Sequence, residues 1–320
     1  MQRPLESPEV NAPSLRLPYF DLAKGVCILL VVLYHLQEAY DVHLPSDRFL
    51  LLVRMPLYYF LSGFFFKEYD GIVSFAKKKV KRLLIPFLFF YLFTSVLLPI
   101  LANRFLGISF STGNDWSLLY AFLTYANYPN IPLWFLWALF LLNLLFYQLH
   151  SHCRSIPLLG FICLLLSCIL GNYSPLHLPA SLNRMFDGLL FFYFGYVFRF
   201  FFTDRLQQWY YATTFTVLFF LIGWWTPENT ILLLIQHYIG GFLGIAALVL
   251  FCRRIGHLPY VSYLGRYSIM VLVTHEPLIR LLQFAHVPHL LIAFGILLVL
   301  YPFIIPLMRR YLPYVTAQKP

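Results

Sequence analysis

Lys24 and His35 stand eleven positions apart in an otherwise apolar run, FDLAKGVCILLVVLYHL, from Phe20 to Leu36. Eleven residues at about 100° each return to within roughly 20° of the same helical face, about 16 Å further along the axis. Keeping an imidazole inside a bilayer costs on the order of a few kcal/mol unless it faces protein or water, so His35 is a functional-site candidate by default. Glu38, one turn further on, carries a carboxylate able to orient the ring and raise its basicity, as a third member does for a catalytic base. The pair reads as a general base with its orienting acid. The alternatives are a structural histidine bonded to a neighbouring helix and a carboxylate that only ends the helix at the interface.

Four further residues share this chemistry. In RMPLYYFLSGFFF, Arg54 falls a few residues below the outer surface, where a guanidinium either snorkels outward or pairs inside the bundle. In LGRYSIMVLVTHEPLI, Ser268 and His275 are seven apart on one face, with Glu276 beside the histidine; a polar stripe leading inward competes here with a plain interhelical hydrogen bond. KKKVKRLLIPF places five cations in six positions. Most of these read as a topogenic, lipid-binding patch, but Arg82, four before Pro86, is placed to hold a phosphate arriving from the cytoplasm. His150, His152 and Cys153 match no metal signature, so no metal is expected. Gly240 and Gly244 form a GxxxG suited to close helix packing, and Trp134 and Trp137 on composition alone are packing or interface anchors.

The elements that must position these side chains are membrane helices. Hydrophobic residues make up 60% and charged residues 11%, and apolar runs long enough for about 30 Å of hydrocarbon recur along the chain. Ten spans are predicted, at about 20–38, 49–66, 83–101, 131–148, 156–171, 188–202, 209–225, 231–252, 264–285 and 288–308. With the N-terminus inside, 18 of the 23 Lys and Arg fall on the inner flank, and only Arg48, Arg54, Arg104, Arg184 and Arg280 fall outside. That bias predicts an even number of spans with both termini cytoplasmic. The charge of +10 is then a matter of topology and anionic lipid, and no nucleic-acid partner is needed.

Residues 1–19 carry prolines and mixed charge without an apolar h-region, so they are expected to form a mobile cytoplasmic tail and not a signal peptide. Residues 20–308 form one transmembrane domain and 309–320 a second cytoplasmic tail. The stretch from about 102 to 130 is the longest outside the spans, and its apolar piece LLYAFLTY is expected at the interface. Cys27, Cys163, Cys168 and Cys252 lie in predicted spans and Cys153 in an inner loop, which gives no disulfide framework.

Taken in order, these segments resemble membrane acyltransferase family 3, the integral-membrane O-acyltransferases, and within it the fucose-4-O-acetylase-like and enterobacterial-common-antigen-acetylase-like members. The first span is similar to the family's Arg or Lys, ten residues, then His, here Lys24 and His35. MPLYYFLSGFFF resembles the MPLFFFLSG segment, KRLLIPF the Arg-x-x-x-Pro start of the third span, LWFLWALF with Trp134 the Trp-Phe-Leu segment, and LGRYSIMVLVTHEPLI the late Ser-to-His stretch. Relatives often carry His before MPLFF where this chain has Arg54.

The resemblance covers about residues 17–308. It implies transfer of an acyl group, usually acetyl from cytoplasmic acetyl-CoA, to a hydroxyl of a cell-surface or lipid-linked sugar, in the inner membrane of a bacterium. No bound cofactor is implied; acyl-CoA is a substrate, and the other partners are the carbohydrate acceptor and the bilayer. His35 would serve as base with Glu38 behind it, Arg54 or His275 would steady the oxyanion, and Lys24, Arg82 and Ser268 would face the donor. Direct transfer and an acyl-histidine intermediate both remain open, as does oligomeric state. A transporter or flippase of a lipid-linked sugar would explain the buried charges equally well, but not the spacing of Lys24 and His35 above a phosphate-binding approach. A non-catalytic envelope scaffold is the third reading, and it requires His35 to be dispensable.

Overall fold

A computed structural model describes residues 17–69, 71–106, 130–153, 155–178, 182–201 and 209–316. Among these residues the secondary structure is helical, with no strand. The helices are α1 (Pro18–Tyr40), α2 (Asp47–Arg54), α3 (Pro56–Phe64), α4 (Ile72–Phe105), α5 (Ile131–His152) and α6 (Ile156–Leu170). There follow α7 (Leu182–Phe201), α8 (Trp209–Trp224), α9 (Thr230–Ile255), α10 (Pro259–Arg266), α11 (Ser268–Phe284) and α12 (Leu290–Tyr311). Five described helices, α1, α4, α5, α9 and α12, are long and apolar enough to cross a membrane, and α6 and α8 are shorter apolar helices. On α12, Val299, Phe303 and Leu307 are exposed, an apolar face suited to lipid and costly in water. LLYAFLTY, residues 1–16 and residues 317–320 lie outside the described residues.

Prolines set the breaks and bends that matter for the site. The run read as one span at 49–66 is two helices, because Pro56 has no N–H and its ring opposes the carbonyl four residues back. At this joint the Tyr58 N–H turns to the Met55 carbonyl, leaving the Arg54 carbonyl to accept the Cys27 thiol at 2.6 Å. The run at 264–285 is also divided, with Tyr267 between α10 and α11 and Ser268 opening α11. Inside α11, Pro277 frees the Val273 carbonyl, and the buried Asn130 amide donates to that carbonyl at 2.9 Å. In α4, two π-helical turns, Val80–Leu84 and Phe93–Leu97, stand just ahead of Pro86 and Pro99. Widening the turn by one residue keeps the hydrogen-bond ladder going where a proline removes a donor.

Two helix pairs approach at backbone distance. Gly25 of α1 lies against the Val261 carbonyl and Gly265 of α10 against the Asp21 carbonyl, so a methyl at either would overlap main-chain oxygen. Gly63 of α3 and Gly195 of α7 meet the carbonyls of Phe192 and Phe60 in the same way. Without a hydrophobic driving force between helices in lipid, such close packing is what holds them together. Helix α1 is the hub, packing against α9, α10, α11 and α12 as well as α2. Cationic helix ends gather around its beginning: Arg253, ending α9, lies 6.0 Å from the Tyr19 ring, and Arg309, ending α12, lies 5.0 Å from the Tyr267 ring.

Candidate active site

At the other end of the bundle, away from those cations, the helices line a half-open cavity of about 790 Å³. Its walls are the last turns of α1 and α11, the joint between α2 and α3, and the first turns of α5, α7 and α9. A volume of this size is ample for a small polar ligand.

His35 lines the cavity and is mostly buried. Its Nδ1 lies 3.9 Å from Oε2 of Glu276, beyond hydrogen-bond distance, and among the described residues neither ring nitrogen has a hydrogen-bond partner. The carboxylate found next to the ring is Glu276 of α11, where the sequence had pointed to Glu38. Glu38 is exposed at the cavity wall, one turn from Tyr34. Glu276 is itself held by Arg280 one helical turn away, whose Nε and Nη2 both donate to the single oxygen Oε1 at 3.1 Å. It is also the residue just before Pro277, in the turn whose freed Val273 carbonyl accepts from Asn130.

His275 packs beside His35, with ring centroids 5.1 Å apart. Its Nδ1 lies 2.9 Å from the Val271 carbonyl, and since a carbonyl only accepts, Nδ1 must carry the proton. Nε2 is then a lone pair in the neutral ring, fully buried and without a partner. In that form His275 can accept a hydrogen bond through Nε2 but cannot donate one to an oxyanion.

Arg54 does not snorkel. It is 4% exposed, its guanidinium lies 4.1 Å from the Tyr34 ring centroid, and Nη1 is 3.4 Å from Oδ1 of Asp47. The end of α2 at Pro56 aims this cation into the cavity instead of along a continuing helix.

The residues expected to face the donor divide. Tyr58 stands between two of them, donating to the Lys24 carbonyl at 3.0 Å with the Ser268 side chain close to its hydroxyl. Lys24 Nζ lies 5.4 Å from the Phe65 ring, at the cationic end of the bundle. Arg82 is exposed on the first π turn of α4, which packs against α5 and not in the α1 and α11 cluster. His150 bonds the Tyr196 hydroxyl at 2.8 Å, and among the described residues no group of three or more His, Cys, Asp or Glu is placed to hold a metal.

Sequence reasoning missed a second polar pair on the same cavity. His237 Nε2 lies 3.0 Å from Oδ2 of Asp187, and both residues are buried. Asp187 and Arg184 belong to the first turns of α7, and His237 to the π turn Gln236–Gly240 of α9. The one available signal was an ionisable residue inside an apolar run, the criterion that had marked His35.

A helical membrane bundle with buried imidazoles and carboxylates around an internal cavity is the architecture of an intramembrane enzyme or carrier. The chain belongs to acyltransferase family 3: the family model, described as an acyltransferase domain, matches residues 17–309. It is thus an integral-membrane acyltransferase. No curated protein and no solved structure matches it.

Proposed function

We propose that this protein moves an acetyl group from acetyl-CoA to a hydroxyl of a cell-surface or lipid-linked sugar in a bacterial inner membrane. The observation that carries this reading is an unbonded imidazole, His35, backed by Glu276 at 3.9 Å and open to a cavity of about 790 Å³ inside the bundle. The cationic helix ends lie in the cytoplasm, following the rule that Lys and Arg stay inside. Lys24, with Ser268 beside it and Arg82 on α4, meets the phosphates of the donor there, and the thioester arm reaches inward toward His35, about 16 Å deeper along α1.

The acceptor hydroxyl occupies the cavity. His35 takes its proton as the oxygen attacks the thioester carbonyl carbon, forming the C–O bond. Glu276, steadied by Arg280, stabilises the imidazolium that results. Arg54 faces the tetrahedral oxyanion; Asp47 and Tyr34 hold its guanidinium in place beforehand, so little reorganisation is required. Collapse breaks the C–S bond, His35 returns the proton to the thiolate, and ester and free CoA thiol leave. His275 packs against the His35 ring at 5.1 Å and, neutral with its proton on Nδ1, has no part in holding the oxyanion. Glu38 sits with Tyr34 at the wall and serves acceptor access.

Mass spectrometry of surface glycans from cells with and without the protein tests the reading. Loss of an acetyl increment in cells lacking the protein is expected. Identical glycans together with altered sugar export would instead favour a carrier.

A further inference from the structure

The proposed acyl transfer uses the α1 and α11 wall of the cavity and leaves the α7 and α9 wall unexplained. There Asp187 and His237 are each 6% exposed and joined at 3.0 Å, with the Tyr238 hydroxyl 3.5 Å from the same carboxylate. His237 Nδ1 is buried with no partner. The Tyr173 ring packs on His237 at 5.2 Å, and the Arg184 guanidinium lies 4.4 Å from the Trp134 ring.

Two features argue against a mere tether. Helices α7 and α9 are already joined by Phe191 and Phe194 against Phe242, at 4.9 and 4.0 Å between centroids, so an ionisable pair is not needed to hold them. Burying such a pair is expensive in a bilayer and gains little stability over apolar packing. The histidine also sits on a π turn, a local widening that recurs at functional sites. That turn is braced by Gln236, whose amide donates to the Ile222 carbonyl at 2.8 Å and the Trp225 carbonyl at 2.5 Å. The brace fixes where His237 projects.

The charges on the whole cavity balance. Three carboxylates of the lining, Glu38, Asp187 and Glu276, stand against three guanidinium groups, Arg54, Arg184 and Arg280. A lining without surplus charge, with aromatic faces beside polar groups, suits a ligand that is itself uncharged and rich in hydroxyls.

We infer that Asp187 and His237, with Arg184, Tyr173 and Trp134 around them, form the acceptor-binding half of the cavity and take an uncharged polyhydroxylated ring. The inference rests on the acyl-transfer reading. Binding by this half holds the ring so that one hydroxyl meets His35, while thioester chemistry remains with the other wall.

The test uses the full chain in detergent with labelled acetyl-CoA and, as acceptor, O-deacetylated surface polysaccharide from cells lacking the protein. Asp187→Asn and His237→Gln are each compared with the wild type, after both elute as monodisperse protein. The acceptor KM should rise at least tenfold in each, with kcat within about threefold and acceptor-free thioester hydrolysis unchanged. Methyl hexopyranosides should compete with the polysaccharide and methyl hexuronosides should not. Wild-type parameters in both variants, or a loss of acceptor-free hydrolysis, would overturn the assignment. So would stronger competition by the uronosides, or hydrolysis by the wild type without transfer to any sugar. A wild-type protein that consumes no thioester at all refutes the acyl-transfer reading itself.

Discussion

Replacing Glu276 by Gln keeps the size and the contact with Arg280 but removes the charge facing His35. At 3.9 Å an imidazolium and a carboxylate attract by about 4 kcal/mol at an effective dielectric constant of about 20. Arg280, bonded to the other oxygen at 3.1 Å, already neutralises part of that field. Taking roughly half of the attraction as felt by the transition state leaves about 2 kcal/mol, or about thirtyfold in rate. Glu276→Gln should therefore lower kcat about thirtyfold, with the KM for acetyl-CoA unchanged, measured as thiol release by folded protein in detergent. Glu38→Gln, at an exposed carboxylate on the cavity wall, should stay within about threefold. A Glu276→Gln enzyme within threefold of wild type, or a larger loss at Glu38, would refute the assignment of Glu276 as the orienting acid.

Arg54→Lys should lower kcat at least tenfold, about 1.4 kcal/mol on the barrier, because a point charge on another stem cannot keep both the Tyr34 stacking and the Asp47 contact; full activity would return Arg54 to a structural role. Asn130→Ala strips the cap from the Val273 carbonyl and should cost about 1–3 kcal/mol, seen as earlier thermal unfolding in detergent. Wild-type melting would mean that the bend at Pro277 holds without it. Lys24→Gln and Arg82→Gln should each raise the KM for acetyl-CoA about tenfold and that for a phosphate-free pantetheine thioester much less, since the lost contact is to phosphate. Equal losses would assign these cations to topology.

Much of the site was legible in the sequence because ionisable side chains in apolar runs stand out by type alone. Lys24, His35, Arg54 and His275 were marked that way, and the structure gathers the last three on one cavity or beside it. What spacing could not give was the partner across a helix boundary. Glu38 is one turn from His35 in the chain, yet α11 packs on α1 so that Glu276 lies nearer the ring. Asp187 and His237 meet from fifty positions apart, through a π turn that leaves no mark in hydropathy. The helix breaks at Pro56 and Tyr267 were passed over for a related reason. Hydropathy summed over a span averages out a single residue, while at Pro56 the hydrogen-bond ladder stops at one missing donor.

The account stands on His35 as the base, and the most direct test is acyl transfer by His35→Ala in detergent. The variant should insert, purify and melt like the wild type while thiol release from acetyl-CoA in the presence of acceptor falls about 10²- to 10⁴-fold, the usual cost of losing a general base. Wild-type turnover in the folded variant would contradict the mechanism and remove His35 from the chemistry.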